Sequence, residues 1–204
     1  MTGILFRDGD AGPDLHAFWR KAVSTDLFRH RTDLSVEQRW QQSYDRLRAL
    51  NEEVLCVQDL VRDPRALAVL HEWTSVVDGA TATVAGIHYN LFFGSLLDDE
   101  VSPARDLAEF AALAATGTFL CTEQAHGNDA AALETVACYD RERDEFVLHT
   151  PHEGARKYMP NTSPAGGPKT AVVAARLLVA TGTRASSCSS PRSATGAAPW
   201  RASP

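Results

Sequence analysis

The hydrophobic period of this chain changes once, near Gly117, and that change bounds every fold open to it. Before it, apolar side chains recur every three or four residues, the spacing of amphipathic helices. After it, short β-prone runs alternate with polar turns. Helices first and strands afterwards predict an α+β arrangement, an N-terminal helical bundle followed by an antiparallel β domain.

The helical part reads in order. Residues 1–10 look like an extended lead-in. Leu15, Phe18, Trp19 and Val23 give a first helix over 14–23. Ser35 with Gln38 three residues on predicts a capping box, opening a helix towards Leu50 with Trp40, Tyr44, Leu47 and Leu50 on one face. A shorter helix is expected over 52–61. Asp63-Pro64 opens the next, proline being suited to the first helical position. Its core stripe is Leu67, Leu70, Trp73, Val76 and Val77. The most apolar helix, 81–97, is apolar around most of its circumference and should be central. His88 within it reads as a satisfied structural histidine. Asp98-Asp99-Glu100 should break the run, and 104–116 should form a last helix closed by Gly117 as a C-cap. Trp19, Trp40 and Trp73 read as core anchors.

From Gly117 the text runs G-T-F-L-C-T-E-Q-A-H-G-N-D-A-A-A-L-E-T-V-A-C-Y. Thr118 to Cys121 suits a buried strand. Thr122 and Glu123 bring a hydroxyl and a carboxylate to its end. A loop of small and polar residues follows, in which Gly127 can take φ > 0 and Asn128 and Asp129 tolerate turns. A cofactor contact and a solvated hairpin loop both fit this local pattern. Strands are expected at 133–140 and 145–149 around a polar turn, and at 170–179 after a loop-rich stretch.

Composition closes off several classes. A hydrophobic share of 44% supports a packed core, and a net charge of −6 gives no general attraction to nucleic acid. The charge is uneven: seven of the 20 basic residues and none of the 26 acids follow Glu153, so 1–153 carries −13 and 154–204 carries +7. The four cysteines are widely spaced without a C-x-x-C pair, so neither a zinc site nor a disulfide framework is expected. No run of about 18 apolar residues predicts a membrane helix. Without a secretory n-region or a C-terminal S-K-L address, a cytoplasmic location is expected.

Four motifs in order carry a specific resemblance. C-T-E-Q-A-H-G-N, L-E-T-V-A-C-Y-D, D-E-F-V-L-H-T-P and the pair Lys157-Tyr158 resemble the acyl-CoA oxidase branch of the acyl-CoA dehydrogenase superfamily, sharply over 117–179. The resemblance implies domains at 1–116 (helical) and 117–180 (part of a middle β domain). It also implies FAD as cofactor and an acyl-CoA thioester as substrate, dehydrogenated at Cα–Cβ in fatty-acid β-oxidation. By resemblance Thr122 hydrogen-bonds the flavin ring, Glu123 and Gly127 shape the same turn, and Asn128 lies near the substrate. Tyr158 takes the place of a Trp packed near the isoalloxazine. Asn161 stands after Pro160 where relatives offer a Gly or Thr to the flavin. Proline has no N–H to give there.

The resemblance ends near Val179. The mixture of Ala, Arg, Ser, Pro and Gly over 181–204 reads as an unstructured, out-of-frame tail; a basic tail and a linker are the alternatives. The family's catalytic base, a Glu in a C-terminal four-helix domain, is then absent, so no catalytic residue is assigned. A chain of this extent is expected neither to hold FAD tightly nor to turn over acyl-CoA alone. The intact parent would be a dimer or tetramer. Its electron acceptor would be O2, or an electron-transfer flavoprotein if it is a dehydrogenase. A non-catalytic helical interaction module is the reading from a different class.

Overall fold

The computed structural model describes residues 15–98, 106–179 and the backbone of 195–201. The chain forms two compact units, one of Met1–Gly117 with Ser163–Lys169, the other of Thr118–Thr162 with Thr170–Pro204. The architecture is α+β, helices followed by a small sheet. The lead-in, residues 99–105, 180–194 and 202–204 lie outside the described residues, and with them most of the expected acidic break.

In the helical unit, α1 spans Leu15–Ala22 and α2 spans Val36–Glu52. The capping box forms in both directions: Gln38 N–H donates to Ser35 Oγ at 3.2 Å, and Ser35 N–H to Gln38 Oε1 at 2.8 Å. Tyr44, Leu47 and Leu50 are buried. Trp40 is not: it is 50% exposed, so it lies outside the core it was expected to anchor. Helix α3 begins later than expected, at Val57–Arg62, because α2 runs on through Glu52 and leaves Leu55 fully exposed between them.

Asp63 caps α4 (Pro64–Val77), its Oδ1 accepting from the N–H groups of Arg65 and Ala66 at 2.9 and 3.1 Å. Val69 and Leu70 are buried, whereas Val76 is 79% exposed, off the expected stripe. Arg46 is buried, and its guanidinium is held at 2.7 Å by Asp78 and by the carbonyls of Leu27 and Arg29.

The central helix is three pieces end to end: α5 (Gly79–Ala85), a π-helical stretch (Gly86–Phe93) and α6 (Gly94–Leu97). Its π-helical part buries His88, Tyr89, Phe92 and Phe93. The expected helix over 104–116 is corrected to one turn, α7 (Ala108–Ala111), with Leu113 at φ 51 beyond it. Gly117 is not its C-cap. A methyl group there would lie 2.1 Å from Phe92 Cγ, so glycine admits the ring. The Gly117 N–H donates to His88 Nδ1 at 2.9 Å, while His88 Nε2 lies 3.2 Å from the Phe110 carbonyl. Both ring nitrogens are thus partnered, with the proton on Nε2, as a structural histidine requires.

Residues 163–169 return to this unit. The Gly166 N–H donates to Gln41 Oε1 at 3.1 Å, Arg48 Nη2 donates to the Gly166 carbonyl at 2.6 Å, and Lys169 Nζ stands 4.0 Å from the Tyr44 ring centroid.

The sheet has the order β1-β4-β2-β3, with β5 also on β4. Its strands are β1 (Thr116–Leu120), β2 (Val136–Asp140), β3 (Glu145–His149), β4 (Lys169–Leu178) and β5 (Thr195–Arg201). The hairpin of β2 and β3 is antiparallel, as expected; β2 and β4 pair in parallel, which the long connection between them permits. Ala171, Val172 and Val173 of β4 are buried. The tail was expected to be unstructured over 181–204. Within it β5 instead pairs antiparallel with β4, from Thr170↔Arg201 to Arg176↔Thr195. A strand edge offers backbone donors and acceptors at a fixed repeat, so pairing there leaves no side-chain pattern to read.

Candidate functional site

The loop after β1 is built around a buried carboxylate. Glu123 has no exposed surface. Its Oε1 accepts from Thr135 N–H at 2.9 Å, Thr135 Oγ1 at 2.6 Å and Lys157 Nζ at 3.1 Å. Its Oε2 accepts from Glu134 N–H at 2.8 Å. Burial alone pushes this carboxyl up. The donors from Thr135, the Glu134 and Thr135 backbone and Lys157 outweigh it and hold the group down to about 2. It is an anion at any ordinary pH, and its lone pairs are engaged.

That anion ties three segments. Lys157 also donates to the Cys121 carbonyl at 3.0 Å. Around it, residues 122–125 pair with 154–158: Tyr158 N–H donates to the Thr122 carbonyl at 2.9 Å, Gln124 N–H to Arg156 at 3.0 Å and Ala125 N–H to Gly154 at 2.9 Å. Thr122 and Tyr158 therefore stand side by side, Thr122 half-buried and Tyr158 58% exposed. Asn161 accepts a hydrogen bond from Thr118 Oγ1 through its side-chain oxygen. Gly127 and Asn128 are exposed on the loop. Gly127 does not use the left-handed region, and a methyl group there would meet nothing within 4 Å. The conformational reason expected for that glycine is absent.

An open cavity of about 570 Å³ adjoins the brace, lined by apolar Leu120, Leu148 and Val173 and by polar Thr135, His152 and Lys157.

Comparison with known proteins converges on one group. Acyl-coenzyme A oxidase 2 of Yarrowia lipolytica is 39% identical over 92 residues, 41% of this chain and 12% of that protein. Peroxisomal acyl-coenzyme A oxidase 2 of Arabidopsis thaliana is 30% identical over 166 residues, 76% of this chain and 24% of that protein. Over this stretch the chain is a homologue of the acyl-CoA oxidases. It spans a quarter or less of the length of these relatives. The crystal structure of acyl-CoA oxidase 3 from Yarrowia lipolytica shares the fold at a TM-score of 0.73 and 22% identity, covering 92% of this chain and 26% of that one. An acyl-CoA dehydrogenase from Bacillus anthracis, complexed with FAD, shares it at 0.57 and 17% identity over 80% of this chain and 28% of that one. No protein-family model matches the chain.

In this acyl-CoA oxidase homologue, Thr122, Glu123 and Tyr158 come together, and Asn161 is tied to the same strand through Thr118. Asn128 stays on the open side of the loop. Reading the motifs one by one missed the structural weight of Thr135 and Lys157. Both sit inside quoted motifs, but nothing local joins Glu123 to a lysine 34 residues away. It also missed the grouping of His126, Glu134 and His152, whose members come from separate segments.

Proposed function

We propose that this chain supplies a flavin-binding wall of an FAD-dependent acyl-CoA oxidase. The observation that carries the reading is the Glu123 brace, which sets Thr122 beside Tyr158 in a chain homologous to acyl-CoA oxidases. The residues present suit a flavin in part. Thr122 offers a hydroxyl at the strand end, and Tyr158 offers an aromatic face open to solvent, the geometry for stacking on a planar ring. The fit is poorer at Pro160-Asn161, where proline has no N–H and the Asn161 side chain already serves Thr118.

Bound there, FAD would accept hydride from Cβ of an acyl-CoA thioester. Thr122 would orient the ring, Tyr158 would pack against it, and Glu123 and Gly127 would keep the turn in shape. Asn161 would flank the ring, and Asn128 would meet the acyl-CoA. Glu123 is unfit to remove the substrate's α-proton, because it is buried and its lone pairs are engaged. The acceptor in this proposal is O2, with an electron-transfer flavoprotein as the dehydrogenase variant, and assembly is as a dimer or tetramer.

A flavin-fluorescence titration of the purified chain tests the reading. Weak, saturable FAD binding is expected, lost on gel filtration and weakened roughly fivefold or more by Thr122→Val and by Tyr158→Ala, the scale of one lost contact. Equal affinity in all three proteins would overturn it.

A second reading, a helical interaction module, is favoured by the exposure of Trp40, Leu55 and Val76 on the helical unit. A stable, monodisperse protein with no measurable affinity for FAD would support it.

A further inference from the structure

We propose that β3 is an interaction edge through which two copies of this chain pair, strand against strand, about a two-fold axis at Val147. Among the described residues β3 is bonded on one side only: it pairs with β2 and with no other strand. Its other side is a row of backbone donors and acceptors of the kind that takes up a further strand. All five of its residues are exposed, and three in a row are apolar: Phe146, Val147 and Leu148 are 53%, 47% and 42% exposed. The strand has none of the features that blunt an edge, having no lysine, no proline and no bulge against β2. The strand supplied by residues 195–201 lies on β4, elsewhere in the sheet, and so does not cover it.

The residues themselves select the partner. In an antiparallel pair, residues directly opposite share a face, so a two-fold axis between two copies of one strand must pass between a residue and its own copy. With the axis at Val147, Val147 meets Val147, Phe146 meets Leu148 and Glu145 meets His149, the last two contacts each made twice. Every apolar residue then faces an apolar one. Each carboxylate faces an imidazole, whose N–H can donate to it whether or not the ring is charged. Moving the axis to Phe146 sets Glu145 against Val147, and moving it to Leu148 sets His149 against Val147. The central register is the one that E-F-V-L-H complements, and its occupant is a second copy. A Glu145 oxygen lies 3.6 Å from Arg143 Nη1 in the same turn, and a carboxylate accepts through both oxygens, so that contact and the one across the axis are compatible.

Strand alternation sorts the contact into two faces. On one, Phe146 and Leu148 of both copies form a continuous apolar stripe. It is widened by Tyr139, whose ring centroid lies 5.2 Å from that of Phe146, and by Ala137, which stands opposite Leu148. On the other face, the two Val147 side chains are flanked by Glu145–His149 pairs. The ladder is bounded by the turn at 141–144 and by Pro151, which has no N–H to extend it. The contact uses none of the residues assigned to the flavin, so it stands or falls apart from that reading.

Sedimentation equilibrium of the full chain over the micromolar range tests the proposal. A monomer–dimer equilibrium that stops at two is expected, because an isologous contact closes on itself. Val147→Lys sets two ammonium groups against each other at the axis, and His149→Glu sets carboxylate against carboxylate. Each should weaken the dimer at least about fivefold. Combining Glu145→His with His149→Glu restores the match of acid and imidazole and should recover most of the wild-type affinity. Val76→Lys, at an exposed apolar site of the helical unit, should leave it unchanged. Circular dichroism checks that each variant folds; should Val147→Lys not fold, the changes at Glu145 and His149 decide. A wild type that stays monomeric, or that grows beyond dimers, would overturn the proposal. So would self-association that survives both single changes, or that the exchange does not recover.

Discussion

His88 and Glu123 are both almost completely buried, yet the fold keeps one neutral and the other charged. His88 lies in the helical unit among Tyr89, Phe92 and Phe93. Burial there disfavours the imidazolium, with only the Phe110 carbonyl offsetting it, and the ring is pushed down to about 4. Glu123 lies in the sheet unit with four donors around its two oxygens, and they reverse what burial would do. Depth in the protein does not set charge; the number and kind of partners does. A ring with one donor and one acceptor site can be satisfied as a neutral group. A carboxylate facing two N–H groups, a hydroxyl and an ammonium is satisfied only as an anion.

The largest effect expected from breaking this contrast is at Glu123. Glu123→Ala strands Lys157, whose side chain is only 11% exposed, and leaves two backbone N–H groups without their acceptor. Removing one partner of a buried pair costs about 3–5 kcal/mol, so urea unfolding should show a loss of that size. Next comes acidification, which should separate the two groups. Unfolded, His88 binds its proton near 6.5 and folded near about 4. Its contribution is complete above 6.5 and is lost as pH falls towards 4. Glu123, ordinarily near 4.5, contributes fully above that value and loses its contribution as pH falls through about 2. Urea midpoints measured from pH 7 to pH 2 should decline in these two successive windows. His88→Gln should flatten only the upper one.

Gly117→Ala should cost about 1–3 kcal/mol in the same assay, because the new methyl group meets the Phe92 ring and Phe92 is itself packed on Phe110 at 4.9 Å. Gly127→Ala should change stability by less than about 0.5 kcal/mol, since its surroundings are open and its φ is not left-handed. A large loss at Gly127 would mean that the loop is held more tightly than its contacts indicate.

What could be read in advance was what neighbours in sequence decide. The Ser35–Gln38 box, Pro64 at a helix start and the β2–β3 hairpin each depend on residues within a few positions, and each formed as expected. Features that depend on distant partners were not legible. Trp40 has the spacing of a core residue but half of it faces solvent. The π-helical register of Gly86–Phe93 leaves no mark in an apolar run. Gly117 looked like a helix end, and its role became visible only with Phe92 beside it. The candidate site divides in the same way. Thr122, Glu123 and Tyr158 were found through motif resemblance. The brace that unites them needed Thr135 and Lys157, 12 and 34 residues from Glu123.

The return of residues 163–169 to the helical unit has a consequence for how the chain is made. The hydrogen bond from Gly166 to Gln41 spans 125 positions. At translation rates of about 5–20 residues per second, the ribosome needs roughly 6–25 seconds to cover that distance. Until then Tyr44 and Gln41 of helix α2 lack the segment that covers them. The helical unit comes first in sequence but is not complete until residue 169 has been made. Its completion waits on residues encoded after the β-hairpin, so that part of α2 stays uncovered until they are made.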